Sequence, residues 1–505
     1  MATDIPRSSG ILLHPTSLPS PYGIGDLGSS ARDFIDALAS SGQTWWQMLP
    51  LNVPGHGGSP YSAESAFAGN PALIDLEALA ERGWLERSSL KSLADACAKH
   101  APSRVNFSQV TPAKMALLDA AWETAKKDKA TSALIDAFKT SEAAWLVDYT
   151  LFAALKEKHP GKSWRDWPAD LVARKASALE RAREECSAAI ERHTFYQWVF
   201  FSQWSELRTH AQAKGIRLIG DIPIFVAMDS ADVWANRHLF KLDERGHADV
   251  VAGVPPDYFS ATGQKWGNPV YDWSAVEENK YAWWISRVQK AIETVDLVRI
   301  DHFRGFQDYW ETPSDKPTAI DGEWVAGPRD AFFEAIEGAL GEVPFIAEDL
   351  GLIDEPVYEL RDRFHLPGMK VMHFAFGGEP DHPFLPHTYP EHCVAYTGTH
   401  DNDTTRGWYE NTSDEERHRA RVYLSSPDEE IVDAMCEALF GSRANLTILP
   451  AQDLWELGTE HRMNTPSTVD GNWSWRMTSE QLADSEAWSV LGDRTERHDR
   501  TRRKA

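Results

Sequence analysis

Eight short apolar runs recur along this chain of 505 residues, and several are followed by a longer segment with apolar residues at helical spacing. Most of the runs are nearly continuous in apolar residues rather than alternating, as parallel strands covered on both faces are. A strand followed by a helix, repeated eight times, predicts an α/β fold of the (β/α)8 TIM-barrel type. The predicted strands are residues 10–14, 44–51, 217–226, 297–303, 344–350, 369–376, 393–399 and 446–452, and the predicted helices are 31–40, 195–213, 281–295, 330–340 and 429–439.

Two connections between the predicted strands are too long for a bare barrel. Residues 53–192, after the second strand, are predicted as a mainly helical insertion, because their central part is amphipathic and rich in Ala, Lys and Glu. Residues 227–278, after the third strand, begin with Gly, Pro and aromatic residues and are predicted as a loop subdomain. Residues 494–505 are predicted to be a charged, frayed tail. We therefore expect one catalytic barrel over residues 1–505, with inserted subdomains and no separate C-terminal β-domain.

Charge and hydropathy exclude several classes of partner. Acidic residues number 76 and basic residues 51, which gives a net charge of −25 and disfavours nucleic-acid binding. No apolar run reaches the roughly 18 residues that a membrane span needs. The start of the chain shows no secretory signal, and the four cysteines form no CxxC pair, so we expect a cytoplasmic protein, or a plastid one if a transit peptide has been removed.

Aromatic residues suggest the class of ligand. Tryptophan is as frequent as phenylalanine, with 21 of each. For any single tryptophan, a place in the core is the alternative interpretation. Many of the tryptophans and tyrosines nevertheless lie in loops rich in Gly and Pro, where a flat apolar ring can stack on a sugar. This pattern favours a carbohydrate ligand.

Carboxylates follow several of the predicted strands directly, at the end of a barrel where chemistry takes place. Asp221, Asp301, Glu348 and Asp401 lie at four such ends. Charged groups there are costly to half-bury unless they are paired or used. Two convergent carboxyl groups suit glycosidic chemistry, and in a retaining enzyme they lie about 5–5.5 Å apart. For each one alone, capping of a helix or pairing with an arginine is the alternative.

Two other interpretations of these motifs fail. The glycines at 23, 25 and 28 match a dinucleotide-binding pattern, but they lie well beyond the first strand, and the second strand offers no acid for a ribose. His302, His400, Asp401 and Asp349 are metal-ligand types, but no HExxH motif or close His pair supports a catalytic metal. We therefore expect neither a cofactor nor a metal.

Motifs spread over nearly the whole chain resemble the amylomaltase (4-α-glucanotransferase, or disproportionating enzyme) family, which is related to the α-amylases. Three of them, in order, carry most of the resemblance: Arg299-x-Asp301-His302-Phe303-Arg304-Gly305, Ala347-Glu348-Asp349-Leu350-Gly351 and Thr399-His400-Asp401-Asn402-Asp403. The others are residues 9–19, 58–61 with 70–71, 221–226 with 229–234, 255–259 with 263–269, and 462–466.

The resemblance implies roles for individual residues. Asp301 matches the family nucleophile, Glu348 the acid/base, and Asp401 a third carboxylate that binds sugar hydroxyls. Arg299, two residues before Asp301, would point the same way along the strand and keep that carboxylate ionised. The remaining candidates are all expected to bind substrate: Tyr61, which would stack on a sugar; His400, which would hydrogen-bond it; Asp221 and Asn464; and Tyr258, Phe259, Gln264 and Trp266, which match a flexible loop over the acceptor side.

The implied activity is transfer, with retention, of α-1,4-glucan segments to the 4-hydroxyl of an acceptor glucan or of glucose. The expected partners are α-1,4-glucans, maltooligosaccharides and glucose, with no nucleic acid or membrane, and the protein is expected to be a monomer or a weak homodimer. An α-amylase-like hydrolase uses the same carboxylates, so the catalytic residues alone leave that alternative open. A glucan-binding protein without activity is the alternative from another class, although the intact carboxylates argue against it.

Overall fold

A computed structural model describes residues 5–256, 260–468 and 470–501, without the side chain of residue 56. Twelve strands lie in this part of the chain: β1 Ser8–Leu12, β2 Trp45–Gln47, β3 Arg217–Pro223, β4 Val250–Val254, β5 Gln264–Pro269, β6 Leu297–Asp301, β7 Asp308–Pro313, β8 Glu323–Ala326, β9 Phe345–Ala347, β10 Gly368–Val371, β11 Cys393–Tyr396 and β12 Leu446–Pro450.

Eight of the strands form one parallel sheet in the order β10-β11-β12-β1-β2-β3-β6-β9. β1 pairs with both β2 and β12, so the sheet joins the two ends of the chain. At the remaining seam between β9 and β10, the Ala347 N–H donates to the Pro367 carbonyl at 2.9 Å. The Met369 N–H donates to Asp349 Oδ1 at 2.7 Å across the same seam. The sheet is thus a nearly closed barrel, and the predicted TIM barrel and its eight strands are confirmed.

Helices cover the outside of the barrel and build the insertion. In the described residues they are α1 Ser29–Ser40, α2 Leu76–Glu81, α3 Arg87–Cys97, α4 Phe107–Ala125, α5 Lys129–Ser141, α6 Ala143–Lys158, α7 Ala169–Val172, α8 Ala176–Glu185, α9 Ser187–Lys214, α10 Ala231–Ala235, α11 Trp273–Glu278, α12 Ala282–Thr294, α13 Arg329–Leu340, α14 Glu355–Arg363, α15 Thr405–Asn411, α16 Asp414–Leu424, α17 Ile431–Gly441, α18 Ser479–Leu482 and α19 Ser485–Arg497. None of these is long and apolar enough to span a bilayer.

Helices α2 to α8 all lie between β2 and β3, and α4, α5, α6 and α8 pack on the long helix α9. The Phe195 ring of α9 lies 5.8 Å from Trp84 and 5.3 Å from Trp122. Many tryptophans are therefore core residues, as the alternative interpretation held. Five of them are almost fully buried: Trp46, Trp164, Trp234, Trp284 and Trp475.

A second sheet, which the sequence analysis did not predict, lies beside the barrel. It is antiparallel, with strand order β5-β4-β7-β8. β4 and β5 lie in the segment predicted as a loop subdomain, whereas β7 and β8 follow β6. Trp310 and Trp324 face each other across β7 and β8, with ring centroids 5.3 Å apart. The segment after β3 is thus partly a sheet, completed by strands from the next connection.

The end of the described chain corrects the prediction of a frayed tail from residue 494. Helix α19 continues to Arg497, and the Arg500 side chain is fully buried. The Arg500 guanidinium donates to the carbonyls of Phe440 at 2.7 Å, Ala444 at 2.9 Å and Ser8 at 3.0 Å. Because carbonyl oxygens accept from all three of its nitrogens, this cation is stable in the interior, and charge alone was a misleading signal.

Candidate active site

The C-terminal ends of neighbouring barrel strands bring the predicted carboxylates together. Asp301 is the last residue of β6, and Glu348 follows the last residue of β9. Ile300 pairs with Ala347, so Asp301 and Glu348 are the next residues on two adjacent parallel strands. Such strands are about 4.8 Å apart. The two side chains therefore start side by side at the mouth of the barrel.

Arg299 links two carboxylates below this mouth. Residues 299 and 301 share one face of β6, because side chains alternate along a strand. Arg299 Nη1 lies 2.5 Å from Asp221 Oδ2, and Nη2 lies 3.0 Å from Asp301 Oδ1. The Arg299 side chain is 4% exposed, and Asp221 is fully buried, so water screens their contact little, whereas Asp301 is 27% exposed toward the mouth. One buried cation thus fixes the orientation of Asp301 and favours its ionised form.

Glu348 lies in a different environment, held by backbone donors. Its Oε2 accepts from the His302 N–H at 2.8 Å, and its Oε1 accepts from the Leu350 N–H at 3.0 Å. Burial raises the pKa of Glu348 to about 7, although Arg299 opposes the shift. Burial also raises the pKa of Asp301, to about 6, against the direct pull of Arg299. The arrangement favours a protonated Glu348 beside an Asp301 that a cation contacts.

His302 has an unusual backbone that sequence reasoning missed. Its φ is 54°, in the left-handed region that only a few per cent of non-glycine residues adopt. This conformation directs its N–H at Glu348, so local strain serves the site. Burial lowers the pKa of the His302 imidazole to about 4, and nearby Arg304 adds to the shift, so the ring is neutral at pH 7. Its place directly after Asp301 was the only available signal.

Asp401 lies in the loop after β11 and is held from two sides. His400 Nε2 is 3.2 Å from Asp401 Oδ2, and the Asn464 amide donates to Oδ1 at 2.6 Å. Burial alone would raise the pKa of Asp401, but His400 and then Asn464 lower it below its ordinary value. Arg462, whose position sequence reasoning did not assign, donates to the Asp401 carbonyl at 2.8 Å. The third carboxylate is thus an oriented anion.

An aromatic wall adjoins these carboxylates. The Tyr61 ring stacks on His400 with centroids 5.1 Å apart and planes 8° apart. The Tyr61 hydroxyl donates to Asp221 Oδ2 at 2.7 Å. Trp473, which was not among the predicted residues, packs 5.8 Å from Tyr61 and 6.1 Å from His400. Flat faces of this kind suit the apolar faces of a pyranose ring.

A short hairpin after β2 carries Tyr61 to the mouth. Pro54 and Ala63 form an antiparallel bridge across it. The turn contains Gly57 and Gly58, with φ values of 75° and 70°, where a side chain would be strained. The Gly-Gly pair therefore makes the reversal that returns Tyr61 toward Asp221.

The residues predicted for a flexible acceptor loop have a mixed outcome. Gln264 and Trp266 lie on strand β5, so this half of the segment is regular structure rather than a loop. The Trp266 ring is 39% exposed and lies 4.8 Å from the His302 ring. Tyr258 and Phe259 lie outside the described residues. The segment therefore presents at least one exposed aromatic ring next to the Asp301 turn.

Asp349, a neighbour of Glu348, faces away from the mouth. It contacts Arg361 at 2.5 Å and accepts from the Met369 N–H, on the β10 side. In the described ranges, no three His, Cys, Asp or Glu side chains are grouped so that they could hold a metal ion. The candidate metal group of the sequence analysis is thus divided, with Asp349 used in the barrel wall.

Comparisons with known proteins agree with this geometry. A family model described as 4-alpha-glucanotransferase matches residues 13–482. The chain is 48% identical over 490 residues to a 4-alpha-glucanotransferase of Thermus thermophilus, covering 95% of this chain and 96% of that protein. It is 43% identical over 487 residues to the "4-alpha-glucanotransferase, chloroplastic/amyloplastic" of Solanum tuberosum, covering 95% of this chain and 84% of that protein.

A solved structure, the amylomaltase from Streptococcus agalactiae in complex with acarbose, matches with a TM-score of 0.95 and 38% identity. The match covers 98% of this chain and all of that one. Both the sequence and the structure therefore point to the same group of enzymes. The chain belongs to the 4-alpha-glucanotransferase family and is an enzyme with that activity.

Proposed function

We propose that this enzyme moves α-1,4-linked glucan segments with retention, using Asp301 as the nucleophile and Glu348 as the acid/base. One observation carries the proposal: Asp301 and Glu348 lie on adjacent strand ends in unlike environments. A guanidinium contacts Asp301, whereas burial raises the pKa of Glu348 to about 7, against the opposing effects of Arg299 and of its two backbone N–H donors. Unlike environments for two neighbouring carboxyl groups are how glycosidases separate a nucleophile from an acid.

In the first half-reaction, a carboxylate oxygen of Asp301 attacks C1 of the donor sugar. The bond from C1 to the glycosidic oxygen breaks, and that oxygen takes the proton of Glu348. The products are a glycosyl ester on Asp301 and a shortened glucan, or glucose, with a free 4-hydroxyl. Arg299 keeps one oxygen of Asp301 in place, so the other remains available for the attack.

In the second half-reaction, the 4-hydroxyl of an acceptor gives its proton to the Glu348 carboxylate while its oxygen attacks C1. The ester bond breaks and the Asp301 carboxylate is restored. Two inversions at C1 give net retention. Glu348 regains its proton, so each cycle balances without an added acid, oxidant or cofactor.

We assign the third carboxylate and the aromatic wall to the sugar in the cleavage site. Asp401 is an ionised acceptor for sugar hydroxyls, since His400 and Asn464 hold its two oxygens in defined directions. Tyr61 and His400 provide a stacked pair of rings beside it. Asp221 positions this pair through the Tyr61 hydroxyl and also contacts Arg299. These contacts hold the sugar while positive charge develops at C1.

Transfer rather than hydrolysis requires that an acceptor outcompete water at the ester. Water is far more concentrated than any sugar, but positioning is worth roughly 7–11 kcal/mol. Trp266 is the described residue that best suits this task, since its exposed ring adjoins His302. We propose that it stacks on the acceptor and that Gln264, its partner at 3.3 Å, contacts acceptor hydroxyls. Tyr258 and Phe259 complete this proposal on the basis of the resemblance alone.

The proposed substrates are α-1,4-glucans, maltooligosaccharides and glucose, as in starch, glycogen or maltose metabolism. The names of the relatives and the acarbose complex of the Streptococcus agalactiae enzyme support this class. A reducing compartment, the cytoplasm or a plastid stroma, fits four cysteines that are all buried and unpaired. We expect a monomer or a weak homodimer.

Trapping of the glycosyl ester tests the two roles directly. In the Glu348→Gln variant, an α-glycosyl fluoride donor still loads Asp301, because fluoride leaves without a proton from Glu348. Mass spectrometry of the digested protein should place one sugar on the peptide that contains Asp301. The double variant Glu348→Gln/Asp301→Asn is the matched control and should remain unlabelled. A sugar on another peptide, or on neither variant, contradicts the assignment.

The products from maltotriose separate the three candidate functions. Transfer gives glucose together with oligomers longer than the substrate and leaves the number of reducing ends constant. Hydrolysis gives only shorter products, and a binding protein without activity gives none. We expect longer oligomers, and their absence would contradict transfer.

A further inference from the structure

Trp473 combines a strained backbone with a place beside the stacked rings of Tyr61 and His400. Its φ is 62°, a left-handed conformation that is a genuine outlier for a bulky aromatic residue. The side chain is only 7% exposed, so the ring offers little surface to a substrate. Strained residues persist where the surrounding structure over-determines them, and they cluster at functional sites.

The ring of Trp473 touches both members of the Tyr61–His400 stack. It lies 5.8 Å from Tyr61 with a 41° tilt and 6.1 Å from His400 with a 37° tilt. The two stacked rings come from opposite directions, Tyr61 from the hairpin after β2 and His400 from the loop after β11. A third ring inclined to both prevents them from sliding along each other.

The segment that carries Trp473 is anchored on two sides. Toward the mouth, the Trp473 N–H donates to the Met463 carbonyl at 2.7 Å, one residue before Asn464. Toward the helical insertion, the Val105 N–H donates to the Ser474 carbonyl at 2.7 Å. The Arg476 Nε also donates to the Pro102 carbonyl at 2.9 Å. The segment 472–476 therefore connects the insertion, through hydrogen bonds, to the loop that holds Asp401.

We propose that Trp473 is a positioning residue for glucan transfer: its strained backbone places the ring so that Tyr61 and His400 are held as one rigid surface against the reacting sugar. The proposal rests on the proposed function, because it takes the Tyr61–His400 pair to be the wall of the cleavage site. Residues 102–105 of the insertion take part through these hydrogen bonds, so a segment that has no residue in the proposed site contributes to catalysis.

A movable wall affects the transition state more than it affects ground-state binding. A sugar displaced by about 1 Å can lose two orders of magnitude in rate. Tyr61 keeps its hydroxyl bond to Asp221 without Trp473, but its ring can then tilt about that bond. The effect should therefore appear mainly in kcat, with a smaller change in KM.

The test compares Trp473→Leu with Tyr281→Leu in maltotriose disproportionation. Tyr281 is a close control, since it is also a buried aromatic residue, 5% exposed, with a left-handed φ of 55° and no place at the mouth. Both variants should lower the thermal midpoint. Only Trp473→Leu should lower kcat, by about 10- to 100-fold, and Trp473→Phe should restore most of it. Equal kcat losses in both leucine variants would overturn the proposal.

A double-variant cycle supplies a second readout that reduced stability would not change. In a Tyr61→Ala background the wall is already broken, so adding Trp473→Leu should lower kcat less than twofold further. Fully multiplicative losses would overturn the positioning role. Failure of the proposed function is seen separately, as an Asp301→Asn variant that keeps its activity, whatever Trp473 does.

Discussion

Two buried arginines lie at opposite ends of the barrel and are held in opposite ways. Arg299, at the C-terminal mouth, contacts the carboxylates of Asp221 and Asp301. Arg500, below the N-terminal ends of β1 and β12, donates to the backbone carbonyls of residues 8, 440, 442 and 444. One cation is thus neutralised by acidic side chains, and the other is solvated by peptide groups.

The two environments act in opposite directions on the cations. Burial lowers the pKa of Arg500 to about 9, and nearby Arg7 adds to that shift. Burial acts the same way on Arg299, but Asp221 and Asp301 outweigh it and raise the pKa of Arg299 above its ordinary value. The charged groups at the mouth therefore serve the proposed reaction. The charge of Arg500, at the opposite end, serves only to hold the chain in place. Changes at the mouth should affect rate, and changes at the other end should affect stability.

Asp301→Asn should give the largest effect and confine it to activity. The substitution is nearly isosteric but removes the nucleophile, so transfer on maltotriose should fall by roughly four orders of magnitude, or ~5.5 kcal/mol of barrier. Stability should stay the same or rise slightly, because a buried carboxylate is removed. More than about a tenth of wild-type activity would show that Asp301 is not the nucleophile.

Arg299→Lys should come next, with a loss of about 100-fold in kcat. A lysine has one ammonium group and cannot hold Asp221 and Asp301 at once, as the two guanidinium nitrogens do. The fold should survive, since a cation remains between the carboxylates. Steady-state kinetics and thermal melts measure both effects, and Arg304→Lys, three residues beyond Asp301, is a control outside that pair. Unchanged kcat would mean that Asp301 does not depend on this contact.

Arg500→Ala should reverse the pattern of Arg299. The variant leaves the buried carbonyls of Ser8 and Ala444 without a hydrogen-bond donor and creates a cavity. The free energy of unfolding should therefore fall by about 3 kcal/mol. The kcat of the folded protein at low temperature should stay within twofold of the wild type. Denaturant unfolding and kinetics on the same sample measure both. A large loss of kcat in the folded variant would contradict the inference that changes at this end of the barrel affect stability alone.

The pH dependence of activity should come from Glu348 and Asp301, at the mouth of the barrel, alone. The kcat/KM of the free enzyme should be bell-shaped. Activity should fall as pH rises through the pKa of Glu348, raised to about 7, because the acid loses its proton. It should also fall as pH drops through the pKa of Asp301, raised to about 6, because the nucleophile gains one. Arg500→Ala should leave both limbs in place, and a shifted limb in that variant would contradict a purely structural role.

Trp266→Ala should give the smallest effect, an increase of several-fold in the fraction of ester lost to water. The measurement is the ratio of new reducing ends to free glucose released from maltotriose. Trp324→Ala is a matched control, because Trp324 is equally exposed at 39% and lies at the other edge of the same sheet. Equal ratios in the two variants would remove Trp266 from the exclusion of water.

The sequence predicted the barrel because its strands are read from local patterns. Runs such as residues 393–396, at the start of the predicted strand 393–399, are continuously apolar and can be recognised without knowledge of a pairing partner. The second sheet gave no such signal: β8 is mostly exposed, and β4 pairs with β7 across some fifty residues and a barrel strand. Non-local pairing of short strands is set by tertiary structure, which a local pattern does not contain.

The candidate site was likewise predictable where it depends on strand ends and not where it depends on contacts between loops. Asp301 and Glu348 follow apolar strands, and the barrel topology then requires them to be neighbours. The placement of Trp473 against Tyr61 joins two loops at opposite ends of the chain, so no spacing indicates it. The left-handed backbone of His302 is likewise not predictable from its residue type, because only a few per cent of non-glycine residues adopt it. Contacts between loops are what the structure adds.

The seam between β1 and β12 has a consequence for biosynthesis. β1 leaves the ribosome before the other eleven described strands, yet one of its two neighbours, β12, is the last of them, and Arg500 binds Ser8 later still. At 5–20 residues per second, roughly 25 to 100 seconds pass before the barrel can close. During that time one edge of β1 is unpaired and apolar, a template for association with other chains. We therefore expect the nascent chain to need protection from association at β1 more than at β12.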